Sequence, residues 1–392
     1  MINLPLETFA LRTMRRRRGD FDEHAYDAML AGIDRLVEAG MPTDEAVRTA
    51  VSAFTSSLDV TVPDVVMRLM RTAPRMLRRS RRIQRRFERR LRRHWGAALD
   101  LFYAVTVCAE EAGRDFDTRH APAAAGRDDF LFEALTGLHA RACRTAVEVY
   151  HLLCSGLPMG ALARCRTMHE LAVTAMVLAE YGTEDRHADL GERYVLHADV
   201  LTWSDAKTYQ EHCTALGYQP FGEAEMAEMQ NQRDALVDRF GRSYGSEYGW
   251  AAHLVGVQRP TFRGLEQLAE LSHLRPHYRR ASHEVHSDAK GWALNVYERG
   301  GISYRSTGVT NVGLADPGHM ALISLQQSLV SLLFSAEDIS PRDLLAAKAV
   351  QGLVDHAGDA FERGERSVEC GTTLVTRQQN DLAPRAFGRE PK

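Results

Sequence analysis

Lysine is nearly missing from this 392-residue chain. Only Lys207, Lys290, Lys348 and Lys392 contribute to its 49 basic residues, so 45 are arginine. A bias of that size follows from a GC-rich genome, and guanidinium chemistry is not implied at every arginine. The six cysteines (Cys108, Cys143, Cys154, Cys165, Cys213 and Cys370) form no CxxC pair. Buried free thiols in a reducing compartment are the expectation. Long apolar runs are missing too. The richest, Ala321–Phe334, is interrupted by Gln326 and Gln327, and a bilayer span needs about 20 apolar residues. The N-terminus is apolar first and basic second (Met1–Ala10, then Arg15–Arg18), the reverse of a secretory signal. A cytoplasmic protein without a transmembrane segment is expected. GxGxxG, GxxxxGK[ST] and GxSxG are all absent, which argues against dinucleotide, P-loop and serine-elbow chemistry. His283-Glu-Val-His286 is one spacer short of HExxH, and Pro276 interrupts the pair His273 and His277. Neither a metal site nor a cofactor is expected.

What is present is an ordinary globular balance, 44% hydrophobic and 26% charged, patterned mainly at helical spacing. Tyr26, Met29, Leu30, Ile33 and Leu36 mark one helix, stopped at Gly40-Met41-Pro42. Thr43 then reads as an N-cap. A second helix is expected over Asp44–Leu58 and a long one over Pro63–Ala112, broken or kinked at Pro74. His120–Gly126 reads as a linker. Beyond it, Phe130, Leu135, Leu138, Ala142, Ala146, Val149 and Leu153 form one apolar stripe, and Pro158 opens the next helix. Trp292–Tyr297, Arg299-Gly-Gly301 and Ile302–Ser306 read as strand, turn and strand. The predicted fold class is therefore all-α, a multi-helix bundle with one small β-hairpin near residues 292–306. The predicted organisation is an N-terminal helical region over 1–119, a main helical domain over 127–365 and a mobile tail over 366–392.

The charge distribution is uneven. Between Arg68 and Arg93 stand thirteen arginines and one acid, Glu88, a local charge of +12 in a chain whose net charge is −3. Ile83, Phe87, Leu91 and Trp95 recur every four residues, so a narrow apolar stripe can dock while arginines fill the remaining circumference. Three readings compete: pairing with acidic helices of the same chain or of a second subunit in a homo-oligomer, binding of RNA or another nucleic acid, and binding to a membrane surface. For nucleic acid the expected contacts are Arg78, Arg79, Arg82, Arg85, Arg86, Arg89, Arg90 and Arg93, because guanidinium forks match phosphate oxygens.

A second constellation lies further on. Tyr278, Ser282 and His286 are four apart and share a helix face. Arg166 and Glu170 are also four apart. If the two faces meet, a guanidinium, a carboxylate, a phenol, a hydroxyl and an imidazole come together. Arg166-Thr-Met-His-Glu170, Trp250-Ala251 and Tyr278-x3-Ser282-x3-His286 together resemble a bacterial domain-of-unknown-function family, number 5677, over about residues 130–340. The resemblance implies a helical domain with no settled activity. Arg280-x5-His286, or Arg279-x6-His286, is similar to the signature of the HEPN superfamily, which includes metal-independent ribonucleases of toxin and defence systems. That resemblance implies an Arg stabilising phosphate charge and a His working as acid or base on the ribose 2′-hydroxyl. The chain departs from it at Ala281, where those enzymes usually carry a small polar residue. The functional expectation is a nucleic-acid-associated, HEPN-like endoribonuclease with Arg166, Glu170, Tyr278, Arg279, Arg280, Ser282 and His286 in its site. The alternative is a non-catalytic helical module whose basic region docks an acidic partner.

Overall fold

Helices carry nearly the whole chain. The structure, a computed structural model, describes residues 23–286, 289–294, 296–299, 302–305 and 308–381. It divides into two units, Met1–Arg85 and Arg86–Lys392.

In the first unit, α1 (Glu23–Glu38) ends at a turn in which Gly40 takes φ +92°, a left-handed conformation open to glycine. Helix α2 then begins at Thr43 and continues without interruption to Ala125, crossing the division between the units. The expected break at Pro74 and the expected linker at His120–Gly126 are both corrected: residues up to Ala125 are helical. Proline removes one amide hydrogen bond from a helix interior. Pro63 and Pro74 are both exposed, so water can take the carbonyl each one frees. Among the described residues of this unit Ala46, Ala50 and Val51 are buried, all near the start of α2.

The second unit is a bundle around one central helix. After α3 (Phe130–Cys154), capped by Asp129 accepting from the Phe132 amide at 3.0 Å, comes α4 (Pro158–Gly182) with its proline in the first turn. Ala161, Cys165, Leu171, Val173, Val177 and Leu178 lie around most of the circumference of α4 and are buried. A helix that is apolar nearly all round belongs inside. Its neighbours are α3, α9 (Arg275–Val285) and α11 (Ala315–Leu333), and α11 in turn packs on α12 (Pro341–Asp381). Between α4 and α9 come α5 (Leu190–His212), paired with α6 (Glu223–Phe240), and the short α7 (Ala252–Val255) and α8 (Phe262–Leu268). A Cβ on Gly318 would come within 2.5–2.7 Å of the Phe361 ring, so only glycine lets α11 approach α12 this closely. Phe361 also meets Trp95 and Phe102 at centroid distances of 6.0 and 6.4 Å.

Three further expectations meet the structure here. Ala289–Leu294 forms a short helix, α10, so Trp292–Leu294 do not begin a strand. Val296–Arg299 and Ile302–Arg305 pair antiparallel, and the two glycines between them lie outside the described residues. The C-terminal segment from Arg366 is helical as far as Asp381, and 382–392 lie outside the described residues. The protein is a multi-helix, all-α bundle. Among the described residues no helix is long and apolar enough to cross a membrane.

Candidate functional site

The two four-residue spacings do meet. Arg166 and Glu170 lie on the one half-buried strip of α4, where Arg166 Nε donates to Glu170 Oε1 at 3.0 Å. Across from them α9 presents Tyr278, whose hydroxyl donates to the same carboxylate oxygen at 2.8 Å. The Arg166 guanidinium lies 5.3 Å from the Tyr278 ring centroid and reaches past it, placing Nη1 at 2.9 Å from Nε2 of His286. Burial and the bond to Glu170 push the Tyr278 hydroxyl up to about 12, so the phenol stays protonated and keeps donating.

His286 itself follows the last turn of α9. Its backbone is extended (φ −98°, ψ 139°), while its N–H still bonds the Ser282 carbonyl at 3.1 Å. The helical register therefore delivers the imidazole to the right face just as the helix ends, and the side chain is exposed.

Not every expected residue joins. Ser282 Oγ donates to its own helix, at the Tyr278 carbonyl, 2.8 Å away. Arg280 pairs with Asp316 in the first turn of α11, and Arg279 is exposed. The guanidinium beside His286 thus belongs to Arg166, from 120 residues earlier, and not to either arginine of the local Arg-x5/6-His pattern.

Beneath this cluster lies a second one, only partly visible in the sequence. Glu266 of α8 is completely buried. One carboxylate oxygen faces His169 Nε2 at 3.1 Å and the other accepts from Arg275. Burial, opposed by Glu266, holds the His169 imidazole below its usual value. The Tyr278 ring separates the two layers, with His169 and Phe262 centroids at 5.7 and 4.9 Å on its inner side. Both His169 and Arg275 stand within the stretches that drew attention in the sequence. Glu266 carried no signal, being a single acid inside an apolar segment. A small cavity of about 190 Å³ opens beside the cluster, lined by His169, His277, Tyr278, Asp316 and His319 among others.

The arginines expected to contact nucleic acid lie on α2. Arg78, Arg79, Arg82, Arg85, Arg86, Arg89, Arg90 and Arg93 are all exposed. The apolar stripe expected among them is divided: Leu91 and Trp95 are buried, Phe87 is half-buried, and Ile83 is 58% exposed.

Residues 132–298 match the model of a family of unknown function, DUF5677. That part of the chain is similar to this family. No curated protein and no solved structure matches the chain. The DUF5677 region stops at residue 298, short of the expected 340. It holds both layers of the cluster and excludes the arginine-rich segment.

Proposed function

We propose that the DUF5677 region carries a metal-independent phosphodiester-cleaving centre of HEPN-like type, acting on RNA in a defence or toxin system. One observation carries this reading: an exposed imidazole hydrogen-bonded to a guanidinium that a carboxylate and a phenol hold in place. A guanidinium only donates, so His286 Nε2 accepts from Arg166 through its one lone pair, the pair a general base uses. When a phosphate oxygen takes the Arg166 Nη1 hydrogen, Nε2 is released beside the scissile group. The ribose 2′-oxygen then attacks phosphorus, and its proton passes to His286. The P–O5′ bond breaks, and the departing 5′-oxygen takes a proton from water, leaving a 2′,3′-cyclic phosphate. Arg166 offsets the charge that builds on the phosphate oxygens. Glu170 and Tyr278 are positioning residues, since they reach the reacting atoms only through Arg166.

His286→Ala tests the reading. Loss of a general base typically lowers the rate by about 10²–10⁴-fold. RNA cleavage by the wild type is expected to survive EDTA and to disappear in the variant, with the thermal midpoint unchanged because His286 is exposed. No cleavage of single-stranded or structured RNA by the wild type, or an undiminished rate in the variant, removes the proposal. The second reading, a non-catalytic module whose basic region docks an acidic partner, draws support from Arg280, which is held by Asp316 and not beside His286.

A further inference from the structure

The segment Val62–Arg85 of α2 has an asymmetry that the RNA-cleaving reading leaves unused. At about 100° per residue, its apolar side chains fall on one arc of about 140°, represented by Val62, Val66, Leu69, Met70, Met76 and Ile83. Its eight arginines, among them Arg68, Arg71, Arg75, Arg78 and Arg82, fall on the opposite arc of about 160°. Met67, the two prolines Pro63 and Pro74, and Asp64 stand among the arginines. The only acid in the segment is Asp64. Among the described residues of the unit Met1–Arg85 nothing covers the apolar arc: those six side chains are between 45% and 65% exposed. Exposed apolar residues scattered singly are ordinary, but a continuous strip rimmed by charge marks an interaction surface.

We infer that Val62–Arg85 lies on an anionic lipid surface, with its apolar arc in the acyl boundary and its arginines on headgroup phosphates. The charge chooses the occupant. A nucleic acid would satisfy the arginine arc and leave the apolar arc in water. A second copy laid against the apolar arc would set Arg79 and Arg81, at the two edges of that arc, against their own kind. A protein groove holds its helix by anchors set in pockets, and such anchors are enriched in aromatics. The arc has none, only Val, Met, Leu and Ile. A fluid acyl layer requires no such shape. Anionic headgroups directly above it supply the opposite charge at the depth to which arginine stems reach.

Sedimentation of the full chain with vesicles tests this. Phosphatidylcholine vesicles containing about a quarter phosphatidylserine are expected to carry the protein down, and pure phosphatidylcholine vesicles are expected to leave most of it in solution. The triple change Leu69→Gln, Met70→Gln and Met76→Gln is expected to lower partitioning by on the order of tenfold or more, with helicity and affinity for single-stranded RNA unchanged. Arg78→Gln with Arg82→Gln is expected to lower partitioning on the anionic vesicles only. Absence of sedimentation at low salt overturns the inference. So does vesicle binding that the triple change leaves intact while the arginine pair lowers RNA and vesicle binding alike, for the arginines alone would then be the polyanion site. A dimer in solution that the triple change dissociates would assign the face to a second copy and overturn it too.

Discussion

The two layers around Tyr278 use the same three side-chain types in opposite order. In the inner layer the carboxylate is central: Glu266 sits between His169 and Arg275 and is fully buried. In the outer layer the guanidinium is central: Arg166 sits between Glu170 and His286, and both it and the imidazole reach solvent. The difference decides what each layer can do. A fully buried central carboxylate with both oxygens engaged is closed to a ligand from solvent, and its charge would be costly if either neighbour left. A central guanidinium with five N–H donors keeps some in reserve, and one of its present partners is an exposed imidazole that an anion can replace. The inner layer fixes α8, α9 and α4 to one another. The outer layer is the part able to exchange partners.

The largest expected effect follows from breaking the inner layer. Arg275→Met leaves the buried Glu266 carboxylate with His169 alone, and removing one partner from a buried ionic group costs about 3–5 kcal/mol. Arg166→Met removes a pair whose members are 25% and 33% exposed, worth about 0–1 kcal/mol. Urea unfolding of the two variants is expected to separate by that margin. Equal losses would erase the distinction between the layers. Adding Glu266→Gln to Arg275→Met is expected to recover part of the loss, because the uncompensated charge goes with it.

A second effect is expected with pH. Burial lowers the pKa of His139 from 6.5 to about 4 and lowers those of His169 and His197 in the same direction. Such a histidine stays neutral in the folded protein while the unfolded chain takes up a proton near 6.5. Its contribution to stability is complete above about pH 6.5 and is lost as pH falls toward 4. For His139 that is about 3 kcal/mol. Urea midpoints measured from pH 7.5 down to 4 are expected to fall across this window, and a flat profile would contradict neutral buried imidazoles.

The smallest effect is expected at Ser282. Its hydroxyl bonds a carbonyl of its own helix, so Ser282→Ala is expected to change stability by no more than about 0.5 kcal/mol and to leave RNA cleavage as it is. A loss of activity there would draw the serine into the outer layer.

Much of the outer layer could be read from spacing alone, because Arg166/Glu170 and Tyr278/Ser282/His286 each obey the four-residue rule of a helix face. That rule says which residues share a face and nothing about which face they meet. It therefore put Ser282 level with Tyr278 and offered Arg279 or Arg280 as the partner of His286, whereas the guanidinium arrives from α4. Glu266 was out of reach for a different reason. A lone acid between Leu265 and Gln267 has no period, and only the packing of α8 on α4 shows it to be buried. The run of α2 through Pro63 and Pro74 shows local rules yielding to context. Proline weighs against a helix, but at exposed positions the hydrogen bonds it removes can be made to water. Helix identity over Phe130–Cys154 was plain because the apolar stripe there is unbroken.

The end of α9 at Val285 gives the outer layer two kinds of member. Arg166 and Glu170 are anchored in the middle of the most enclosed helix of the bundle, and releasing them means opening the cooperative core itself. His286 hangs on the terminal turn of an eleven-residue helix, where opening is local and costs little compared with global unfolding. The imidazole is thus thermodynamically separable from the groups it contacts. Fraying of that last turn would release it from Arg166 without opening the core.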